Sequence, residues 1–210
     1  MDFKEWEPIY EDIVEEFGFS RQADEEAARL LDSLLEKKEL YPLELLRRRI
    51  SDGVTVYGNA PRLEEELPSA DLSGMVIAAD GATSALMRVV GRVPDIIVTD
   101  LDGDVADQLA ASAQGAIVVV HAHGDNMEAL KRYVPRFSGP VMGTTQARPF
   151  GRLHNFGGFT DGDRAVLMAR HLGASVRLIG FDFEEPRSKE GRDSEVKRRK
   201  LSWARRLIYG

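Results

Sequence analysis

Residues 94–103 form the stretch PDIIVTDLDG, in which a short apolar run is followed at once by two aspartates and a glycine. The run at 96–99 is continuous rather than alternating, which is typical of a strand covered on both faces, as in a parallel sheet between helices. Ligands bind beyond the carboxyl ends of such strands. The stretch therefore predicts an α/β fold with chemically active residues at one edge of its sheet.

The same pattern recurs along the chain, with a helix-like segment after each run. The other runs are residues 54–57, 75–79, 116–120, 140–142 and 176–179. The segments between them are long enough for the helical crossovers that parallel strands need. We predict a doubly wound, mostly parallel sheet in one α/β domain over residues 51–210.

Residues 1–50 are predicted to form an N-terminal helical region. Apolar residues in 21–38 recur at helical spacing, and Ser20 is expected as the N-cap of that helix. Pro42 is expected at the first position of a further short helix. Because no group of reactive side chains stands out here, we expect the region to pack on the α/β domain or on a partner subunit, which leaves a homodimer open.

The composition restricts the chemistry of the chain. With 43% hydrophobic residues the 210-residue chain can build a core, and it contains no cysteine. Disulfides, thiolate zinc sites and a cysteine nucleophile are thereby excluded. A bound metal must take oxygen or imidazole ligands, which suits a hard ion such as Mg²⁺.

Charge and hydropathy argue against nucleic-acid and membrane partners. The formal net charge is −7, whereas the nucleic-acid backbone attracts cationic proteins. No apolar run approaches the ~18 residues of a bilayer span, and the N-terminus lacks the features of a signal peptide, so we expect a cytoplasmic protein. The basic cluster at 197–200, with Arg205 and Arg206, is interpreted as a solvated helix face or as a contact with substrate phosphates.

Aspartates follow several neighbouring strands of the predicted sheet. Asp100 and Asp102 lie two residues apart, so both carboxylates can meet one ion in an extended or turn segment. An isolated D-x-D is common in turns, but aspartates at several strand ends favour a Mg²⁺ site. We predict Asp80, Asp100, Asp102 and Asp125 as metal ligands, with Asp100 and Asp102 as the catalytic pair.

Glycines at the same strand ends indicate a phosphate site. Gly58, Gly81 and Gly124 let backbone N–H groups approach a phosphate, although each also fits an ordinary turn. The sequence has neither G-x-G-x-x-G nor a Walker A lysine motif, so common dinucleotide and nucleotide-hydrolase loops are not supported. Of His121 and His123, we expect one near phosphate or carboxylate and one structural, with no zinc site. The predicted nucleotide-binding residues are Gly58, Asn59, Asp80, Gly81, Ala82, Thr83, His123, Gly124 and Asn126.

Residues 154–163 combine aromatic, polar and glycine residues in the stretch HNFGGFTDGD, ahead of a predicted helix. Thr160 or Asp161 can cap that helix. Phenylalanines around glycines can clamp a flat heterocycle, and a carboxylate can accept two parallel N–H bonds from an aminopyrimidinone edge. The alternative interpretation is a capped loop with core aromatics.

At these residues the sequence resembles a known group of enzymes. Residues 79–82, 94–103 and 123–130 are similar to the thiamine pyrophosphokinase pattern, and the closer resemblance is to the archaeal 6-hydroxymethyl-7,8-dihydropterin pyrophosphokinase family. The resemblance covers roughly residues 54–183. The stretches that carry it are GNAP at 58–61, TDLDG at 99–103, HAHGDN at 121–126, TTQ at 144–146 and NFGGFTDGDRA at 155–165.

The resemblance implies a thiamine-pyrophosphokinase-like catalytic domain that transfers a diphosphoryl group from ATP to the hydroxymethyl group of a pterin alcohol and releases AMP. It also implies Mg²⁺ as cofactor and a place in tetrahydromethanopterin or folate biosynthesis. Within it, Asn155, Asp161 and Asp163 are expected to bind the pterin. Gly103 and Asn126 depart from the thiamine enzymes, which have Ser and a more acidic continuation there, so thiamine is a less favoured acceptor.

Three other functions remain as alternatives. Thiamine diphosphokinase differs in its acceptor. A metal-dependent nucleotide-sugar glycosyltransferase also uses D-x-D on an α/β sheet, but it needs a sugar diphosphate donor and releases no AMP from ATP. A nucleotide-binding module without enzymatic activity would bind its ligand without turnover.

Overall fold

The computed structural model describes residues 1–185 and 194–210. Its centre is a seven-stranded sheet with the order β6-β5-β4-β3-β2-β1-β7, in which all described pairings are parallel. The strands are β1 (Val54–Tyr57), β2 (Met75–Ala79), β3 (Ile96–Thr99), β4 (Ile117–Ala122), β5 (Val141–Thr145), β6 (Leu153–His154) and β7 (Val176–Ile179).

Helices cover both faces of this sheet, which confirms the doubly wound α/β prediction. The helices are α1 (Phe3–Phe17), α2 (Arg21–Leu35), α3 (Leu43–Arg49), α4 (Leu63–Glu66), α5 (Ala82–Val90), α6 (Val105–Ala113), α7 (Met127–Tyr133), α8 (Asp161–His171) and α9 (Ser194–Tyr209). Alternate residues of β4 point to opposite faces: Val119 packs in the cluster with α3 and α8, and Val118 and Val120 pack with α2, α6 and α7. This is why the strand is apolar at every position.

The six predicted strands are all present, with differences at their ends. β4 continues through His121 and Ala122, and β5 continues through Thr145, so these residues belong to strands rather than to the loops we expected after them. The additional strand β6 pairs with β5 at the sheet edge. With only two residues, β6 is too short to produce a recognisable hydrophobic period.

The N-terminal helices begin where local capping chemistry allows. Ser20 caps α2 as predicted, since its hydroxyl accepts a hydrogen bond from the Ala23 N–H at 3.2 Å. Pro42 is the N-cap of α3, with an extended backbone, and is not its first helical residue. The Pro42 carbonyl accepts hydrogen bonds from the N–H groups of Leu45 and Leu46.

The helix α2 packs directly on the sheet of the same chain. Its apolar residues Ala27, Ala28, Leu31 and Leu35 are fully buried in one cluster with β4 and β5. The helix α1 packs in a separate cluster, where Trp6 and Tyr10 join Phe159 of the loop before α8. The N-terminal region is therefore part of the core that supports the strands. Among the described residues no helix is both long and apolar enough to cross a bilayer.

Replacing Leu31 by alanine tests this integration. Leu31 is 0% exposed, and loss of a fully buried leucine side chain costs about 2–5 kcal/mol through lost burial and cavity formation. We expect Leu31→Ala to lower the free energy of unfolding in urea by that amount. Circular dichroism and tryptophan fluorescence should report the same single transition. The matched control is Leu45→Ala, because Leu45 is 48% exposed and should lose little. Separate transitions for the two probes in Leu31→Ala would contradict a shared core.

Candidate active site

A cavity of about 580 Å³ lies at the carboxyl ends of the central strands. This is within the size range of small-molecule sites, and its position matches the rule for open parallel sheets. Its walls come from the ends of β1 to β4, the start of α8, the end of β7 and one face of α9. The polar residues among them include Asn59, Asp80, Asp100, Asp102, His123, Asp125, Asn126, Thr160, Asp161, Asp182, Lys197 and Lys200.

Three of the predicted metal ligands meet in this cavity. Asp80, Asp100 and Asp102 each offer a carboxylate oxygen, and these oxygens lie within 4.8 Å of one another. The backbone is left-handed at Asp80 (φ 43°) and at Leu101 (φ 69°), a conformation that non-glycine residues rarely adopt. Such backbone outliers concentrate at functional sites, where the surrounding structure enforces them. Here the two turns direct carboxylates from separate strands toward one point.

Hydrogen bonds fix the orientation of Asp80. Its Oδ1 atom accepts from the Thr99 hydroxyl at 2.9 Å and from the Gln108 side-chain amide at 2.8 Å. The same Thr99 oxygen accepts from the Leu101 N–H at 2.8 Å, which stabilises the turn after β3. Both Thr99 and Gln108 are 0% exposed, so the groups that hold the Asp80 carboxylate are part of the buried core.

Asp100 is held in its ionised form. Burial acts in the opposite direction, but the hydrogen bond from His123, the Arg164 charge and the Asp102 N–H together lower the pKa of Asp100 to about 2. The His123 Nε2 atom lies 3.4 Å from Asp100 Oδ2. Asn126 supports the same turn, because its side-chain amide donates to the Asp100 carbonyl at 2.8 Å and to the His121 carbonyl at 2.7 Å.

Asp161 faces the three aspartates from the start of α8. Burial and the negative charges of Asp100, Asp80 and Asp102 raise its pKa well above the usual value, while Arg164 acts in the opposite direction. The Arg164 guanidinium lies 3.1 Å from Asp161 Oδ1 and is itself buried. A carboxylate with a raised pKa beside other carboxylates marks a concentration of negative charge. This all-oxygen donor set fits a hard divalent cation such as Mg²⁺.

The structure separates the predicted nucleotide-binding residues into two groups. Gly58, Asn59, Asp80, His123 and Asn126 line the cavity. The other four residues, Gly81, Ala82, Thr83 and Gly124, are not part of its lining, and Ala82 and Thr83 are fully buried.

Two of these glycines serve close packing within the protein. An added Cβ at Gly124 would lie 2.7 Å from Ala23 Cβ, and the Gly124 N–H donates to Asp24 at 2.8 Å. An added Cβ at Gly81 would meet the Asn59 side chain. Both glycines therefore allow other parts of the protein to approach their backbone closely, and their role toward a phosphate stays a prediction.

The remaining predicted residues occupy different positions. Asp125 is exposed and lines the cavity but is not one of the three clustered carboxylates. His121 is buried, with Nδ1 3.0 Å from the Thr144 hydroxyl, and burial together with the Arg164 and His123 charges lowers its pKa well below the usual value. His121 is accordingly the structural member of the histidine pair, and His123 is the member beside a carboxylate.

Of the three residues expected to bind the pterin, only Asp161 faces the cavity. Asn155 accepts from the Gly157 N–H at 2.9 Å and donates to the Ala147 carbonyl at 3.0 Å. Asp163 is fully buried and accepts from the Phe159 N–H at 2.6 Å and the Thr160 N–H at 2.8 Å. Thr160 is the N-cap of α8, as one of the two predicted candidates. Asn155 and Asp163 thus stabilise the loop 155–163 from inside.

Asp24 on α2 is a supporting residue that sequence analysis missed. It is 3% exposed and accepts from the Tyr10 hydroxyl at 2.6 Å and from the Gln146 amide at 2.8 Å, in addition to the Gly124 N–H. Gln146 also lies 3.4 Å from the Arg164 guanidinium. A polar residue in an amphipathic helix normally indicates the solvent face, so the sequence offered no signal for this role.

Gly103 keeps space free for Asp80. An added Cβ at this position would press against the Asp80 carboxylate, 2.8 Å from its Cγ atom. Because Thr99 and Gln108 hold that carboxylate, it cannot rotate away without losing hydrogen bonds. Glycine at position 103, where the thiamine enzymes have serine, therefore leaves room for the Asp80 carboxylate in the cluster.

These features define an α/β protein with a carboxylate cluster at the floor of a substrate-sized cavity. Comparison with known proteins assigns it further: the chain belongs to the family described as 6-hydroxymethylpterin diphosphokinase MptE-like, whose model matches residues 28–188. The family resemblance is confirmed, and it extends toward the N-terminus beyond residues 54–183.

Three relatives align over nearly the whole chain, and each is named 6-hydroxymethyl-7,8-dihydropterin pyrophosphokinase. The protein from Methanothermobacter thermautotrophicus is 47% identical over 99% of this chain and 94% of its own. The protein from Pyrococcus furiosus is 45% identical over 99% of this chain and 93% of its own. The protein from Methanocaldococcus jannaschii is 38% identical over 99% of this chain and 95% of its own.

Metal titration tests the carboxylate cluster. At a Mg²⁺ or Mn²⁺ concentration of about one hundred times Kd, binding should stabilise the folded protein by about 2.7 kcal/mol. For Asp102→Asn, a tenfold loss of affinity reduces this gain to about 1.4 kcal/mol at the same concentration. Thermal unfolding with and without metal measures the stabilisation by metal in the wild type and in the variant. Asp125→Asn removes the same charge from the same cavity and should retain the wild-type gain, and an equal loss in both variants would place Asp125 in the cluster.

Gly103→Ala tests the space beside Asp80. We expect it to weaken the metal-induced rise in melting temperature, because the added methyl group displaces the Asp80 carboxylate. Gly74→Ala is the matched control, since an added Cβ there meets no atom within 4 Å. A full metal response in Gly103→Ala would show that Asp80 moves aside without loss.

Proposed function

We propose that this chain is an ATP- and Mg²⁺-dependent 6-hydroxymethyl-7,8-dihydropterin diphosphokinase, which transfers diphosphate from ATP to the pterin hydroxymethyl group and releases AMP. The observation that carries this proposal is the cluster of Asp80, Asp100 and Asp102 in a cavity of about 580 Å³, in a chain 47% identical to an enzyme of that name. A place in tetrahydromethanopterin or folate biosynthesis follows from the same activity.

The carboxylate cluster supplies the binding site for the metal in this proposal. Asp80, Asp100 and Asp102 would hold Mg²⁺, and when bound it supplies positive charge to the phosphate oxygens. Asp80 is kept in place by hydrogen bonds from Thr99 and Gln108. Asp100 is kept in place by the Asp102 N–H and by His123. Preorganised charge of this kind is the main contribution that proteins make to phosphoryl-type transfer.

In the proposed reaction, one bond forms and one bond breaks at the β-phosphorus of ATP. The pterin hydroxyl oxygen bonds to the β-phosphorus, the bond from that phosphorus to the oxygen bridging it to the α-phosphate breaks, and AMP leaves with that oxygen. The hydroxyl loses its proton in the same process. The work of the chain is to hold the two substrates in line and to exclude other nucleophiles.

The cavity also has an apolar part suited to flat rings. Phe159, Phe181 and Phe183 line it, and the Phe181 and Phe183 rings lie 5.9 Å apart. Asp161 lies at the boundary between these rings and the acidic cluster. We therefore propose that Asp161 contacts the pterin, with Asn155 and Asp163 holding the segment that presents it.

Product analysis distinguishes this function from the alternatives. The three relatives bear the pterin name, which supports the pterin alcohol over thiamine as the acceptor. Incubation with ATP, Mg²⁺ and the pterin alcohol should yield AMP and the pterin diphosphate in equal amounts, whereas incubation with ATP, Mg²⁺ and thiamine should yield neither AMP nor a diphosphate ester. Formation of thiamine diphosphate would favour the thiamine enzyme. ATP binding without AMP formation would favour a binding module, and turnover of a nucleotide sugar would favour a glycosyltransferase.

Substitution of the catalytic pair tests the site within that assay. Asp100→Ala and Asp102→Ala should each lose most AMP formation, because each removes a charge from the cluster. Asp100→Asn is added because it retains the volume of the buried side chain, and circular dichroism checks that every variant is folded. Asp12→Ala, on the exposed face of α1, is the control and should keep normal turnover. Near-normal turnover in either cluster variant would remove that residue from the site.

A further inference from the structure

Helix α9 adds positively charged side chains to the cavity that holds the aspartates. Of the described residues that line the cavity, Lys197 and Lys200 supply the lysine side chains, and both come from α9. The helix α9 lies outside residues 28–188, the part of the chain that the family model matches. The C-terminal helix therefore adds a charge of opposite sign to a site whose acidic part is recognisable from the family motifs.

One face of α9 is directed at the cavity. The residues that line it are Val196, Lys197, Lys200, Leu201 and Ala204, a spacing that keeps them on one side of a helix. Arg198 is exposed, belongs to another side and pairs with Glu195 at 3.7 Å. Within the basic cluster 197–200, Lys197 and Lys200 thus line the cavity, whereas Arg198 and Arg199 contact other groups.

The helix α9 is fixed to the rest of the chain by side-chain contacts. The Trp203 indole donates to Glu16 at 2.7 Å, and Arg199 donates to Glu16 Oε1 at 3.0 Å and to the Glu16 carbonyl at 2.9 Å. Trp203 and Leu207 are buried in the cluster that contains Trp6 and Tyr10 of α1. The cavity-facing lysines are therefore held on a packed helix.

Aromatic rings place the Lys200 ammonium group. Its Nζ atom lies 5.3 Å from the centre of the Phe159 ring and 5.4 Å from that of Phe19. Phe159 precedes Thr160 and Asp161, so the ammonium group lies beside the loop that borders the acidic cluster. Contacts with ring faces stabilise the charged form of a lysine.

We propose that Lys200 binds phosphate oxygens of the ATP donor, with Lys197 extending the same cationic strip. The inference rests on the proposed function, which brings ATP into this cavity. Phosphate oxygens that do not contact the metal would face the repulsion of the acidic residues that line the cavity, including Asp100, Asp102 and Asp182. A lysine fixed in the same cavity offsets that repulsion and favours binding of the triphosphate there.

The test compares Lys200→Met with Arg198→Met. Methionine keeps much of the apolar stem over the rings while removing the charge, and both variants lose one positive charge from the same helix. We expect Lys200→Met to bind α,β-methylene-ATP about tenfold more weakly by calorimetry, with adenosine affinity unchanged. Arg198→Met should bind both ligands as the wild type does. Lys200→Arg should recover most of the affinity for α,β-methylene-ATP.

The outcomes separate this inference from the proposed function. If Lys200→Met keeps wild-type affinity for α,β-methylene-ATP, or loses adenosine affinity equally, the lysine inference is overturned even when the wild type forms AMP. If the wild type binds the analogue but forms no AMP with the pterin alcohol, the proposed function fails, and a selective loss in Lys200→Met still upholds the lysine. A wild type that binds no ATP analogue overturns both.

Discussion

The mutual repulsion of the clustered carboxylates is the constraint that organises this structure. Asp80, Asp100 and Asp102 place oxygens within 4.8 Å of one another, at the edge where parallel strands end. Two left-handed backbone turns are needed to bring them there, and such turns persist only when neighbours enforce them. The supporting groups are arranged accordingly: Thr99 and Gln108 hold Asp80 from the core, His123 and Asn126 hold Asp100, and Arg164 balances Asp161. Burial and the charges of the other three aspartates raise the pKa of Asp161, which adds a fourth acidic group beside the cluster.

Support for this cluster reaches back to the N-terminal helices through Asp24. One connection runs from Asp24 to the Gly124 N–H, next to His123, which contacts Asp100. The other runs from Asp24 to Gln146 and then to Arg164, which pairs with Asp161. Tyr10 of α1 closes the arrangement by donating to the same carboxylate. Buried polar groups must be satisfied, so the position of α2 and the positions of the two loops after β4 and β5 are mutually dependent. The N-terminal region is consequently a supporting layer of the candidate site as well as a contributor to the core.

The sequence predicted the parts of this site that depend on topology. Continuous apolar runs identified the strands, and the rule for strand ends placed Asp80, Asp100, Asp102 and His123 at one edge. A sequence does not show which of two uses a residue has when only tertiary contacts separate them. Asn155 and Asp163 have the chemistry to bind a ligand, and in the structure they hydrogen-bond to nearby backbone groups. Gly124 is predicted to lie close to phosphate, and in the structure Ala23 of α2 lies close to it. Asp24 and Gln108 lie within helices whose pattern suggests ordinary polar positions, and their partners are 122 and 28 residues away in the chain.

The parts of the cavity differ in chemistry because they come from different elements of the fold. The aspartates are fixed at the strand ends by the sheet, and α9 adds lysines that are fixed by its packing against α1 and α8. Phe159, Phe181 and Phe183 line an apolar part of the same cavity. In the proposed function, the triphosphate is stabilised best where it meets both the metal-binding carboxylates and the lysines, and the flat ring where it meets the phenylalanines. The two substrates then have different preferred positions in one cavity, as a transfer between them requires.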